Sequence, residues 1–147
     1  MKKNHINTYF RFTIDKIEFA CDILEVSEIT EPTPLRKIIG PFPSYYKGIF
    51  NLRGNVVTAL NFADLIGTSP SFNPKLFAVL KCPSALTAIG IDKSSGMIAL
   101  DNKNIDDSVN MHLPLPAKYC KGICSVNATT KLNVISLLDF IEDKKQV

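Results

Sequence analysis

Tryptophan is absent from this sequence, and histidine occurs only twice, at His5 and His112. Two histidines so far apart along the chain offer no dyad for acid–base or nucleophilic work. The sequence also lacks Gly-x-Ser-x-Gly, a glycine loop closing on lysine, and His-Glu-x-x-His, so the enzymes that announce themselves by those motifs are not represented. Gly90 and Gly96 bracket a loop, but Met97-Ile98 reads as a returning strand, with no helix to hold a phosphate. Of the four cysteines, Cys120 and Cys124 are closest in sequence, and their spacing matches no zinc-ligand pattern. No metal or cofactor is expected, and Cys21, Cys82, Cys120 and Cys124 are expected as thiols serving as small apolar core residues.

Long apolar runs are missing too. The longest, Leu76-Phe77-Ala78-Val79-Leu80, falls far short of the roughly 20 residues of a membrane helix. The basic start Met1-Lys2-Lys3-Asn4-His5 leads into alternating residues and not into an apolar signal core, which predicts a cytoplasmic chain with no direct membrane insertion. The formal net charge is +3, but the lysines are scattered among acidic residues. That pattern describes a solvated surface and not a nucleic-acid stripe.

What the chain does contain is short alternating runs between turn signals. Phe10, Phe12 and Ile14 alternate with polar neighbours, a turn at Asp15-Lys16 follows, and Ile17, Phe19 and Cys21 alternate again, predicting a first hairpin. Residues 22–29 fit either a helical turn or a strand, and in the strand reading Val26 and Glu28 share a side. Pro32, Pro34, Pro41 and Pro43 make residues 31–43 an extended loop. A second hairpin spans residues 45–61, with Arg53-Gly54 at its tip: Gly54 tolerates positive φ, and Arg53 projects. Asn61 is a suitable cap for a short helix ending near Gly67. Residues 68–74 are linker-like and divide the chain nearly in half.

The two halves resemble each other. Tyr45-Tyr46-Lys47-Gly48-Ile49 aligns with Tyr119-Cys120-Lys121-Gly122-Ile123, and each is followed by a second strand and a short amphipathic helix. Asp64-Leu65 aligns with Asp139-Phe140 after a one-residue insertion. A single domain over residues 1–147 is therefore expected, with two related subdomains at about 8–67 and 74–142. Short strands and tight connections favour an all-β fold of two small closed barrels packed side by side.

The segment Tyr46-Lys47-Gly48-Ile49-Phe50-Asn51-Leu52-Arg53-Gly54-Asn55-Val56-Val57 is similar to the "IKGVxNLRGxIV" element of the CheW-like domain family. The segment running from Phe19-Ala20-Cys21-Asp22 to Val26-Ser27-Glu28-Ile29 is similar to its "YGIDILKVQEI" element. Two long elements in the right order carry the resemblance, which covers residues 9–142. It implies two SH3-like five-stranded β-barrels with short helices, and a non-enzymatic adaptor in a bacterial chemosensory array. The implied partners are the cytoplasmic tip of a methyl-accepting chemoreceptor and the regulatory domain of the histidine kinase CheA. Val26, Glu28, Ile29 and Arg53 would then line a receptor-binding groove, with Asn51 and Gly54 shaping the Arg53 turn.

The sequence departs from the family after that turn. Thr58, Asn61 and Ala63 stand where proline, aspartate and arginine are usual, and Thr30 stands where a basic residue is common. A divergent array adaptor, or the adaptor of a type IV pilus twitching system, fits these departures. A different class of function is a free-standing β-barrel binding nucleic acid or a small ligand, for which Tyr45, Tyr46 and Lys47 are the best-placed residues. Val26 and Ile29 also have a plainer reading as core, because β-branched strand residues usually face inward.

Overall fold

The computed structural model describes residues 6–108 and 112–145, so the basic Met1–His5 segment lies outside the described residues. The chain opens with a hairpin of β1 (Ile6–Ile14) and β2 (Ile17–Asp22). Its two-residue turn places Asp15 and Lys16 at φ 51° and 65°, the left-handed geometry that matches strand twist. A one-turn 3-10 helix, Ile23–Glu25, leads into β3 (Val26–Thr30), so the stretch that fits both helix and strand is one and then the other. After the proline-rich loop come β4 (Tyr46–Leu52), β5 (Asn55–Leu60) and the short helix α1 (Phe62–Leu65). The second half repeats this order with β6 (Leu76–Leu80), β7 (Thr87–Ile91), β8 (Lys93–Asp101), β9 (Cys120–Ser125), β10 (Lys131–Ile135) and α2 (Leu137–Lys145).

The strands form two five-stranded sheets, ordered β8-β1-β2-β10-β9 and β3-β6-β7-β5-β4. The two orders are the same path traced twice. In each, the first hairpin of one half (β1-β2 or β6-β7) pairs in parallel with the last strand of the other half (β10 or β5). The repeat read from sequence is thus present in the topology, but its subdomain limits need correction. Residues 8–67 and 74–142 do not each build a sheet, because each half lends its first hairpin to the sheet of the other. Hydrophobic alternation encodes which face of a strand is buried, not which partner it pairs with, so this exchange left no mark in the pattern.

The edges of each sheet meet. Arg36 and Ile49 exchange both backbone hydrogen bonds, at 2.8 and 2.9 Å, joining the segment after β3 to β4. Asp106 and Ile123 do the same at 2.9 and 3.0 Å, joining the segment after β8 to β9. A glycine sits beside each bridge: Gly48 at φ 135° and Gly122 at φ 144°. A Cβ there would lie 2.6 Å from the Arg36 or Asp106 carbonyl oxygen. The repeated Lys-Gly-Ile therefore marks where each sheet curls onto itself, with glycine allowing the backbones to approach.

Apolar side chains partition accordingly. Phe10, Phe12, Phe19, Leu80, Ile89 and Ile135 belong to a large core shared by both sheets. The opposite faces enclose small private cores, around Tyr9 and Leu132 in one sheet and Phe50 and Phe77 in the other. The rings of Phe10, Phe12, Phe19, Phe62, Phe140 and Tyr119 form a continuous chain, each centroid 5.1–5.9 Å from the next. This chain ties β1 and β2 to both helices, so one hydrophobic core supports the two sheets.

Candidate functional site

The β4-β5 turn closes after two residues, with Leu52 opposite Asn55. Arg53 and Gly54 take φ 49° and 89°, the positive pair that a primed hairpin turn demands. Arginine gains nothing locally from a left-handed backbone, so neighbours must stabilise it. Asn51 contributes, its Oδ1 accepting the Gly54 N–H at 2.8 Å. Glu28 contributes from β3, where its Oε1 accepts a hydrogen bond from the Arg53 guanidinium in an ion pair. Because β3 and β4 are opposite edges of one sheet, the pair straps the seam on which the Arg36–Ile49 bridge also lies. The hydrogen bond and charge of Glu28 hold Arg53 firmly protonated.

The strap leaves Arg53 available, with 70% of its side chain exposed against 27% for Glu28. An ion pair this open adds little to stability, so its main consequence is to fix where the guanidinium points. Val56, across the hairpin from Asn51, is 61% exposed and extends the surface with an apolar contact. Sequence reasoning missed Val56. Its signal was a β-branched residue on the polar side of the alternation, one step past the turn.

The remaining predicted residues separate. Val26 is only 8% exposed and belongs to the shared core, so it does not present a groove wall. The reason is a register shift in β3: Val26 pairs with Leu80 and Glu28 with Val79, two residues against one. This bulge at Ser27 turns Val26 inward and sends Glu28 toward Arg53, and strict alternation had placed the two on one side. Ile29 is half-buried against the same core. Glu28, Arg53, Asn51 and Gly54 therefore form the cluster, with Ile29 at its rim and Val26 beneath.

Buried Asn61 and half-buried Glu25 hold the surrounding frame. Asn61 caps α1, its Oδ1 accepting the Asp64 N–H at 3.4 Å, while its Nδ2 donates to Pro70 O and Ser71 O at 3.3 and 3.0 Å. The residue standing in for the usual aspartate thus fastens the linker between the halves, which a carboxylate cannot do for want of a donor. Glu25, within the 3-10 turn, reaches across to cap α2: its Oε1 accepts the Leu138 N–H at 2.6 Å and its Oε2 the Asp22 N–H at 3.2 Å. Burial pushes the Glu25 pKa upward, and the Leu138 hydrogen bond and the Lys121 charge oppose that rise. Nothing in the spacing of Glu25 pointed to a helix more than a hundred residues later.

Reactive chemistry has little foothold. Burial raises the thiol pKa of Cys21, Cys120 and Cys124, disfavouring thiolate. Among the described residues, no group of three or more His, Cys, Asp or Glu side chains could hold a metal ion, and no helix is long and apolar enough to cross a membrane.

The chain is 24% identical over 118 residues to a Rhizobium etli protein described as "Probable chemotaxis protein CheW", covering 79% of this chain and 76% of that one. Its fold is similar to the crystal structure of the scaffolding protein TtCheW from Thermoanaerobacter tengcongensis, with a TM-score of 0.74 and 18% identity over 90% of this chain and 86% of that one. The model of the CheW-like domain matches residues 8–142, which include both edge bridges, the Glu28–Arg53 strap, α1 and the first two-thirds of α2. The chain belongs to the CheW-like domain family.

Proposed function

We propose that this chain is a non-catalytic cytoplasmic adaptor of a chemosensory array, joining the cytoplasmic tip of a methyl-accepting receptor to the regulatory domain of the kinase CheA. The observation that carries the reading is the exposed Arg53, held by Glu28 and Asn51 on a left-handed turn inside the family's characteristic element. A receptor tip is a helical hairpin with an apolar stripe and flanking charges. Its reader needs a rigid cation beside aliphatic surface. Arg53 supplies the cation and its fork geometry, and Val56 and the rim of Ile29 supply aliphatic contact.

The test is co-sedimentation of the chain with receptor cytoplasmic fragments assembled on vesicles. Arg53→Glu should abolish co-sedimentation with an unchanged circular dichroism spectrum. Normal co-sedimentation of that variant removes Arg53 from the site.

A further inference from the structure

Among the described residues, seven large apolar side chains are exposed, and three of them, Ile38, Ile39 and Phe42, lie within five residues of one another. They sit in the proline-rich loop before β4, which is pinned at both ends. Arg36 is fastened by its bridge to Ile49, and the Tyr46 N–H donates to Pro43 O at 3.0 Å. Inside the loop, the Phe42 N–H donates to Gly40 O at 3.0 Å, and the Phe42 ring packs on Tyr46 with centroids 5.7 Å apart. The apolar tip is thus a formed surface, with Ile39 99% exposed on it.

A groove of about 300 Å³ runs between Ile38, Phe42, Tyr46 and Gly48, with Lys37 and Lys47 on its walls. Arg36, Lys37 and Lys47 enter no ion pair among the described residues. Lys47 lies 5.8 Å from the Phe72 ring, and Asp64, bonded to the loop, is engaged by Ser44 Oγ at 2.7 Å. The result is an apolar floor edged by Lys37 and Lys47, neither of which is paired with a carboxylate among the described residues, Lys47 resting over the Phe72 ring. Such a surface complements a peptide with a bulky apolar residue flanked by carboxylates.

We propose that the loop of residues 36–47 is a second docking surface, whose occupant is a short acidic peptide segment inserting an apolar side chain between Ile38 and Phe42. It is separate from the Arg53 turn. The two lie at opposite ends of β4, about 20 Å apart at the usual strand rise. The groove favours a peptide over a lipid surface because it is a concavity of about 300 Å³ and not a flat apolar face.

A randomised peptide library probed with the full chain tests this, in parallel with Lys37→Glu and Ile39→Asp, exposed positions at which the circular dichroism spectrum should stay unchanged. Recovered sequences should pair carboxylates with Leu, Ile or Phe. A peptide made from their consensus should bind the unaltered chain at least about tenfold more tightly than either variant. An empty selection, a selection without acidic bias, or equal recovery by the variants overturns the proposal. Tighter Ile39-dependent binding to phosphatidylglycerol vesicles than to any peptide also overturns it.

Discussion

The two sheets follow one path but end their last hairpins differently. In one, β4 and β5 are joined by Arg53-Gly54, with a guanidinium projecting from a two-residue turn. In the other, β9 and β10 are joined by a longer polar loop. There Asn127 Oδ1 accepts the N–H groups of Thr129 and Thr130 at 2.9 and 2.8 Å, and no charge projects. At the opposite ends of the same strands the sheets agree closely: Gly48 and Gly122 each admit a carbonyl across the seam. What closing a curled sheet requires has been kept in both copies. The tips, which close no seam, differ between the two copies.

The sharing of one core is the first point at which this comparison can break. Phe62→Ala removes a ring lying 5.5 Å from Phe19 and 5.9 Å from Phe140. It should cost about 3–5 kcal/mol in urea denaturation, with both sheets lost in a single transition. Two separate transitions would show that the sheets stand alone. Next, Gly48→Ala and Gly122→Ala should each cost about 1–3 kcal/mol from backbone strain alone, with the clash at the bridge adding to it. Similar penalties support equivalence of the two seams. A large penalty for only one would mean that the other seam opens freely.

Asn61→Asp restores the residue more usual in the family, yet it should destabilise by about 1–3 kcal/mol. The buried side chain would lose both hydrogen bonds to the linker and face two carbonyl oxygens with a charge. Glu25→Ala should cost about 1 kcal/mol through the lost cap on α2. Glu25→Gln keeps an acceptor for the Leu138 N–H but does not titrate. Because folding raises the Glu25 pKa, the folded state holds its proton more tightly. The stability this confers is full below the unfolded value near 4.5 and is lost as pH rises through the higher folded value. Stability measured by denaturation across that window should therefore decline with rising pH in the unaltered chain more than in Glu25→Gln. The smallest expected effect on stability belongs to Arg53→Glu, because the ion pair it breaks is largely exposed, and the same denaturation measurement checks it.

Much of the molecule was legible from residues acting locally. Gly48 and Gly122 betrayed the repeat because a close backbone approach admits no other residue, and Gly54 marked the turn for its left-handed backbone. Four features were not legible. The bulge at Ser27 separates Val26 from Glu28, which alternation places on one side, because a slipped register follows from pairing with β6 and not from β3 itself. The exchanged hairpins and the Glu25 cap join segments distant in sequence, where composition and periodicity carry no information, and the Asn61 clasp depends on how the linker folds back over α1.

The exchange of hairpins also bears on how the chain acquires its shape. Phe19 pairs with Asn133, and the Asn133 amide donates to Glu18 O at 3.0 Å, so the β1-β2 hairpin finds its parallel neighbour only once β10, more than a hundred residues further along, has been made. Such high contact order implies slow folding and a half-made chain with exposed strand edges. By the same logic, a chain cut within residues 70–73 should stay associated as two interlocked fragments, each unable to fold without the other.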